Sequence, residues 1–195
     1  PRWRLNGTIM DIHEYQAKEL LARNGVPIAK GGLAHNGAEA LEKAREIGGD
    51  MWAVKAQVHS GARGKAGGIK LCKSEQEVAD TAEAMIGETL VTIQTGPRGK
   101  PISSLYIEAA TAIDHEYYLS FVIDRATEQI MVVASASGGM DIEEVAASDP
   151  DAIIHMTVDP VVGMKPFQAR LIAAAIGLGG PLLGKAAAAI LGCYK

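Results

Sequence analysis

Residues 52–71 read Trp52-Ala-Val-Lys-Ala-Gln-Val-His-Ser-Gly-Ala-Arg-Gly-Lys-Ala-Gly-Gly-Ile-Lys-Leu71. The stretch opens as an alternating strand with Trp52 and Val54 on one face, and it closes on Ile69 and Leu71 in the same two-residue rhythm. Between them Gly61, Gly64, Gly67 and Gly68 allow positive φ and close approach to a ligand, while Arg63 and Lys65 add two cations. The expected local structure is a strand, a glycine-cation flap and a returning strand, with Lys55 projecting just before the flap. Such a loop suits an oligophosphate. A Walker A loop does not fit, because Gly64-Lys65 is followed by Ala66 rather than Ser or Thr, and by a strand rather than a helix. A dinucleotide fingerprint does not fit either, because Ala62 stands where that pattern needs glycine. On pattern alone, a phosphate cradle and a solvated basic hairpin stay equally open.

Working outward, helices are expected on both sides of this hairpin. Asp11-Ile-His-Glu14 reads as a capping box that starts a helix with Ala17, Leu20 and Leu21 on one side, stopped by Asn24-Gly25 with Pro27 beyond. Asn36-Gly-Ala-Glu39 starts a second, with Leu41, Ala44 and Ile47 inward and Gly48-Gly49 after it. Ser74-Glu-Gln-Glu77 starts a third, carrying Val78, Ala82, Met85 and Ile86. These alternate with strand candidates near Ile28, at 51–57 and at 89–95, which predicts an α/β lobe. Past Gly96-Pro97, residues 105–109, 116–125 and 129–135 read as an antiparallel meander, the last two joined by the turn Arg125-Ala-Thr-Glu128. Residues 141–147 read as helical, and alanine-rich helices follow Pro166.

The 195 residues are 48% hydrophobic and 22% charged with a formal net charge of -4, the balance of a globular protein with a real core. A mildly acidic chain lacks the broad basic surface that duplex binding needs, so any anion site is local. Cys72 and Cys193 are far apart and lack metal-ligand spacing, which points to two reduced thiols and a cytoplasmic protein. Residues 1–9 precede Met10, lack an apolar core segment, and are read as a leader of uncertain origin rather than a secretory signal. The apolar stretch 171–193 is broken by Gly179-Gly180-Pro181 and carries Lys185, so two short buried helices are expected rather than a membrane span.

Five motifs in order resemble one family: His13-Glu-Tyr-Gln-Ala-Lys18, Val54-Lys-Ala-Gln-Val-His59, Arg63-Gly-Lys-Ala-Gly-Gly68, Leu90-Val-Thr-Ile-Gln-Thr95 and Gly138-Gly-Met-Asp-Ile-Glu-Glu-Val-Ala146. They resemble the ATP-grasp domain of succinate-CoA ligase (succinyl-CoA synthetase) β subunits, with malate-CoA ligase β subunits as close relatives. The likeness runs from Met10 to about Leu178. It implies an ATP-grasp fold of α+β type, with two lobes enclosing a nucleotide, the first at about 10–100 and the second at about 101–195. It also implies an acid-thiol ligase reaction in which ATP (or GTP) phosphorylates a histidine, the phosphoryl group passes to a carboxylate, and CoA displaces it. In that family the phosphohistidine and the main CoA site belong to the α subunit, the expected partner, so His13, His59 and His115 are read as packing or loop residues.

The resemblance assigns nucleotide-binding roles by position. Lys55 matches a strand lysine on the phosphates, and Ala62, Arg63 and Gly64 match the flap over them. Ala62 replaces a glycine common there, which counts against a positive-φ backbone at that position. Glu108 and Thr111 match the segment along the adenine, where backbone rather than side chain reads the base. Glu116 matches a carboxylate on the ribose hydroxyls, and Gly138-Gly139 a turn near the phosphate end. The family's Mg2+ ligands, an Asn and an Asp, lie beyond the point matching Lys195, so no metal ligand is expected here. The expectation is an incomplete β subunit, inactive alone. Two readings of other classes stay open, an anion- or RNA-binding module and a truncated chain that only folds or assembles. The acid and the ADP or GDP preference are not legible.

Overall fold

A computed structural model describes residues 12–195 and divides them into two compact units, residues 12–20 with 28–111 and residues 21–27 with 112–195. Asp11 and the segment 1–9 lie outside the described residues. In chain order the first part of the chain forms α1 (Glu14–Arg23), β1 (Gly31–Ala34), α2 (Gly37–Ile47), β2 (Trp52–Ala56), β3 (Ile69–Cys72), α3 (Glu75–Met85), β4 (Thr89–Leu90), β5 (Lys100–Pro101) and β6 (Leu105–Ala109).

The hairpin read from the sequence forms. β2 and β3 pair antiparallel with Trp52 opposite Cys72 and Lys55 opposite Ile69. The sheet order is β1-β6-β2-β3, and every pairing in it is antiparallel. This corrects the meander expected to start at residue 105, because β6 inserts between β1 and β2 instead of pairing with the strand after it. Its composition explains the place: Leu105, Tyr106, Ile107 and Glu108 are all buried, as a central strand covered on both faces requires.

Two strand expectations shrink or shift. The one near Ile28 forms at 31–34, and that at 89–95 stops after Leu90. There Thr92 Oγ1 accepts from the amides of Gln94 and Thr95, and this local side-chain turn ends the ladder. α2 and α3 start as expected, with Asn36 Oδ1 accepting from Glu39 N and Ser74 Oγ accepting from Glu77 N. Ala40, Ala44, Val78, Ala82 and Met85 join Trp52, Val54, Ala56, Leu105 and Ile107 in one core. Each buried Val, Leu, Ile or Met side chain of that core contributes on the order of 1.5–3 kcal/mol.

α1 departs from expectation, since none of its residues is fully buried and Leu20 is largely exposed. The side turned inward carries Glu14 and Lys18, one helical turn apart. At its start Gln16 Oε1 accepts from the amide of His13 and the His13 carbonyl accepts from Ala17 N. Glu14, expected to reach back to Asp11, has its carboxylate on cations of the hairpin, and the Asp11 side of that box lies outside the described residues.

The second unit contains β7 (Tyr118–Asp124), β8 (Gln129–Ser135), α4 (Ile142–Ser148), β9 (Ile153–Val158), α5 (Pro166–Ala175) and α6 (Pro181–Tyr194). β7 and β8 pair through the expected turn, with Asp124 opposite Gln129, and β9 completes the order β7-β8-β9. Val132, Ala134 and Val158 from this sheet meet Ala169, Ile172, Ala187 and Ile190 from α5 and α6. Gly179-Gly180-Pro181 separates α5 from α6, and among the described residues no helix is long and apolar enough to cross a membrane.

Candidate functional site

The loop between β2 and β3 folds as a compact flap. Gly68 N donates to the Arg63 carbonyl at 2.8 Å, Ala66 N to the Ala62 carbonyl at 3.2 Å, and Ala56 N to the Gly68 carbonyl at 2.8 Å. Ala62 adopts φ 56°, so the backbone takes the left-handed conformation that an alanine was expected to disfavour. The flap fixes this geometry through hydrogen bonds on either side of Ala62, at a cost of about 1–2 kcal/mol for an L-residue. Gly68 serves close approach instead, because a Cβ there would lie 2.7 Å from Leu90 Cδ2.

The flap is clipped to the segment after β4. Gly61 N donates to Gln94 Oε1, and Ser60 Oγ shares a hydrogen bond with the buried Thr92 Oγ1. The Leu90–Thr95 motif therefore holds the flap rather than extending the sheet. No sequence pattern marked Thr92 and Gln94 for this role, because the partners lie 32 and 33 positions away.

Beneath the flap five charged side chains converge. Lys55 Nζ donates to Glu108 Oε2 and to Glu14 Oε1, the latter at 3.2 Å. Arg63 Nη2 donates to Glu14 Oε2 at 2.7 Å, and its Nη1 to the Ala56 carbonyl at 2.7 Å. Lys18 Nζ pairs with Glu108 Oε1 and sits 3.5 Å from Glu14 Oε1. With all five ionised, three cations face two carboxylates and one positive charge is left over. Burial opposes the charge on Glu14, yet Lys55, Arg63 and Lys18 outweigh it and hold its carboxyl at about 2. Burial, with the Lys55 charge beside it, lowers Lys18 to about 8 despite Glu14.

Of the residues assigned by resemblance, Lys55, Arg63 and Glu108 thus come together, with Ala62 and Gly64 in the flap above. Glu108 is not a solvated strand-end acid: its side chain is 7% exposed and pairs with two lysines. Thr111 is exposed two residues past β6. Glu116 belongs to the other unit, where it packs on Gly138-Gly139; Gly138 N donates to its carbonyl at 3.0 Å, and a Cβ on Gly139 would overlap its carboxylate. Glu14 and Lys18 were missed as site residues. Their i,i+4 acid-base spacing inside the first motif was a usable signal.

His13 stacks on His59 at 3.8 Å between ring centroids, and burial together with His59, Arg63 and Lys100 lowers its pKa. His115 hydrogen-bonds the Ala136 carbonyl at 2.7 Å. A cavity of about 460 Å³ opens beside this group, lined by Glu14, His59, Ser60, Gly61, Arg63 and Gln94 among others. Among the described residues no three His, Cys, Asp or Glu side chains cluster.

Known proteins share both fold and sequence with this chain. It is 59% identical over 186 residues to the probable malate-CoA ligase subunit beta of Mesorhizobium japonicum, covering 95% of this chain and 47% of that protein. It is 52% identical over 186 residues to the ADP-forming succinate-CoA ligase subunit beta of Staphylococcus aureus, covering 95% and 48%. The chain thus spans about half the length of these relatives. Among solved structures, a dinucleotide-forming acetyl-coenzyme A synthetase from Ca. Korarchaeum cryptofilum matches with a TM-score of 0.66 at 19% identity, covering 94% of this chain and 78% of that one. ATP citrate lyase from Methanothrix soehngenii matches with a TM-score of 0.59 at 23% identity, over 78% and 36%. The family described as the ATP-grasp domain matches residues 11–195, and the chain belongs to it.

Proposed function

We propose that this chain is the nucleotide-binding part of the β subunit of an ADP-forming acid-CoA ligase. The acid is succinate or malate, as in the names of its relatives. The observation that carries the reading is the convergence of Lys55 and Arg63 under a backbone flap, on the positions where the ATP-grasp resemblance expects phosphates. Ammonium and guanidinium donors fixed beneath a loop stabilise charge on a transferring phosphoryl group, the main demand of that chemistry. Thr111 and the end of β6 hold the base. The phosphohistidine and the CoA site come from an α-subunit partner, and no step through a metal is assigned to the residues of this chain.

Thermal unfolding with and without ATP tests the reading. ATP is expected to raise the melting temperature of the wild-type chain, and the Lys55→Ala, Arg63→Ala double variant is expected to lose the shift. An equal shift in the variant, or salt-sensitive stabilisation by an oligonucleotide in place of ATP, overturns it.

A further inference from the structure

The carboxylate of Glu14 touches both cations assigned to the phosphates, Arg63 Nη2 at 2.7 Å and Lys55 Nζ at 3.2 Å. It occupies the place an anionic ligand oxygen would take. It is also within reach, because Glu14 and Arg63 both line the cavity beside the flap. We propose that Glu14 is a resident anion that competes with the phosphates for Lys55 and Arg63, and so sets how much charge a ligand must bring. This rests on the nucleotide reading above.

Two features separate this from a purely structural ion pair. First, Glu108 pairs with both Lys55 and Lys18, so Lys55 keeps a carboxylate partner without Glu14. Arg63 has no other carboxylate among the described residues, so its charge is the one that Glu14 masks. Second, Arg63 retains its bond to the Ala56 carbonyl at 2.7 Å, which holds the guanidinium in position when the carboxylate leaves. A phosphate arriving there exchanges one anion for another, with the cation already placed. The charge count agrees, since one excess positive charge draws oligophosphates weakly and two draw them strongly. A weakly charged ligand does not displace Glu14, whereas a triphosphate does.

The test is calorimetric titration of the full chain and its Glu14→Gln and Glu14→Asp variants with ATP, sodium tripolyphosphate and adenosine, at one low ionic strength, beside thermal unfolding. Glu14→Gln is expected to bind ATP and tripolyphosphate about tenfold tighter, to leave adenosine unchanged, and to melt at lower temperature. An ion pair with a structural role alone would lower the melting temperature without tightening. Glu14→Asp keeps a counter-charge for folding but falls short of Arg63, and a several-fold tightening is expected. If the wild type binds ATP and neither variant tightens, the role of Glu14 is overturned and the nucleotide reading stands. If the variants tighten tripolyphosphate while no chain prefers ATP to it, Glu14 keeps its role and the nucleotide reading falls. Absence of binding to either probe in every chain overturns both.

Discussion

The backbone amide of Tyr15 donates to Gln57 Oε1 at 3.1 Å, tying the first turn of α1 to the residue that follows β2. Gln57 is 1% exposed, and its amide nitrogen donates to the Lys55 carbonyl at 3.2 Å and to Glu14 Oε2 at 3.4 Å. One buried polar side chain therefore fixes the distance between the helix that supplies Glu14 and Lys18 and the strand that supplies Lys55. Gln57→Leu conserves volume but strands the Tyr15 amide. It is expected to cost about 1–3 kcal/mol in urea unfolding, the penalty for an unsatisfied buried donor. A variant as stable as the wild type would show that this tie does not hold the helix.

At Ala62 the hydrogen bonds of the flap overrule residue preference. Its φ of 56° costs an alanine about 1–2 kcal/mol, while glycine pays roughly 0.4–1 kcal/mol for extra freedom in the unfolded chain. Ala62→Gly is therefore expected to stabilise by about 0.5–1 kcal/mol and to raise the melting temperature by about 1–4 °C. A fall in melting temperature would place Ala62 in another conformation.

The local elements were legible because their signals are local. Asn36, Ser74 and the glycines after the helices act within four residues, and the β2-β3 and β7-β8 hairpins need only short-range patterning. β6 was misplaced because its partner was chosen by proximity in sequence, whereas its covering on both faces selected a central position between β1 and β2. Residues 154–158 of β9 do alternate, with His155 and Thr157 between apolar Ile154, Met156 and Val158, yet this short strand and its pairing with β8 were not read. The candidate site was half legible. Lys55 and Arg63 stand in a recognisable flap, but Glu14 carries a helix-start signal strong enough to hide its second use. Its contacts lie 41 and 49 residues away, which no periodicity encodes.

Two glycines of the second unit are expected to respond to alanine with opposite sign. A Cβ on Gly138 would lie 2.5 Å from the backbone of Glu116 and Tyr117, so the strand entry carrying Glu116 must move. Gly138→Ala is expected to cost about 2–3 kcal/mol, as overpacking against backbone does. Gly184 lies inside α6 with open space around its missing Cβ. Gly184→Ala is expected to gain about 0.5–1 kcal/mol from helix propensity. Paired urea melts measure both, and equal signs would refute the packing argument.

The charge cluster predicts the pH profile of stability. Glu14 titrates at about 2 in the folded chain and near 4.5 unfolded, so between these values the unfolded chain holds more protons. Its contribution is present above pH 4.5 and is lost as pH falls toward 2. The shift is worth roughly 3 kcal/mol when fully expressed. Lys18 acts in the other direction on the alkaline side. Its folded value of about 8 lies below the unfolded 10.5, so it costs stability at neutral pH, and that cost is relieved as pH rises from 8 to 10.5. Urea unfolding from pH 7 to 3 is expected to show a steep loss that Glu14→Gln flattens, and from pH 8 to 10 a rise that Lys18→Met removes. An acid limb of unchanged slope in Glu14→Gln would mean that Lys55 and Arg63 do not hold that carboxylate in solution, because only a group whose proton affinity differs between folded and unfolded chains can bend the curve.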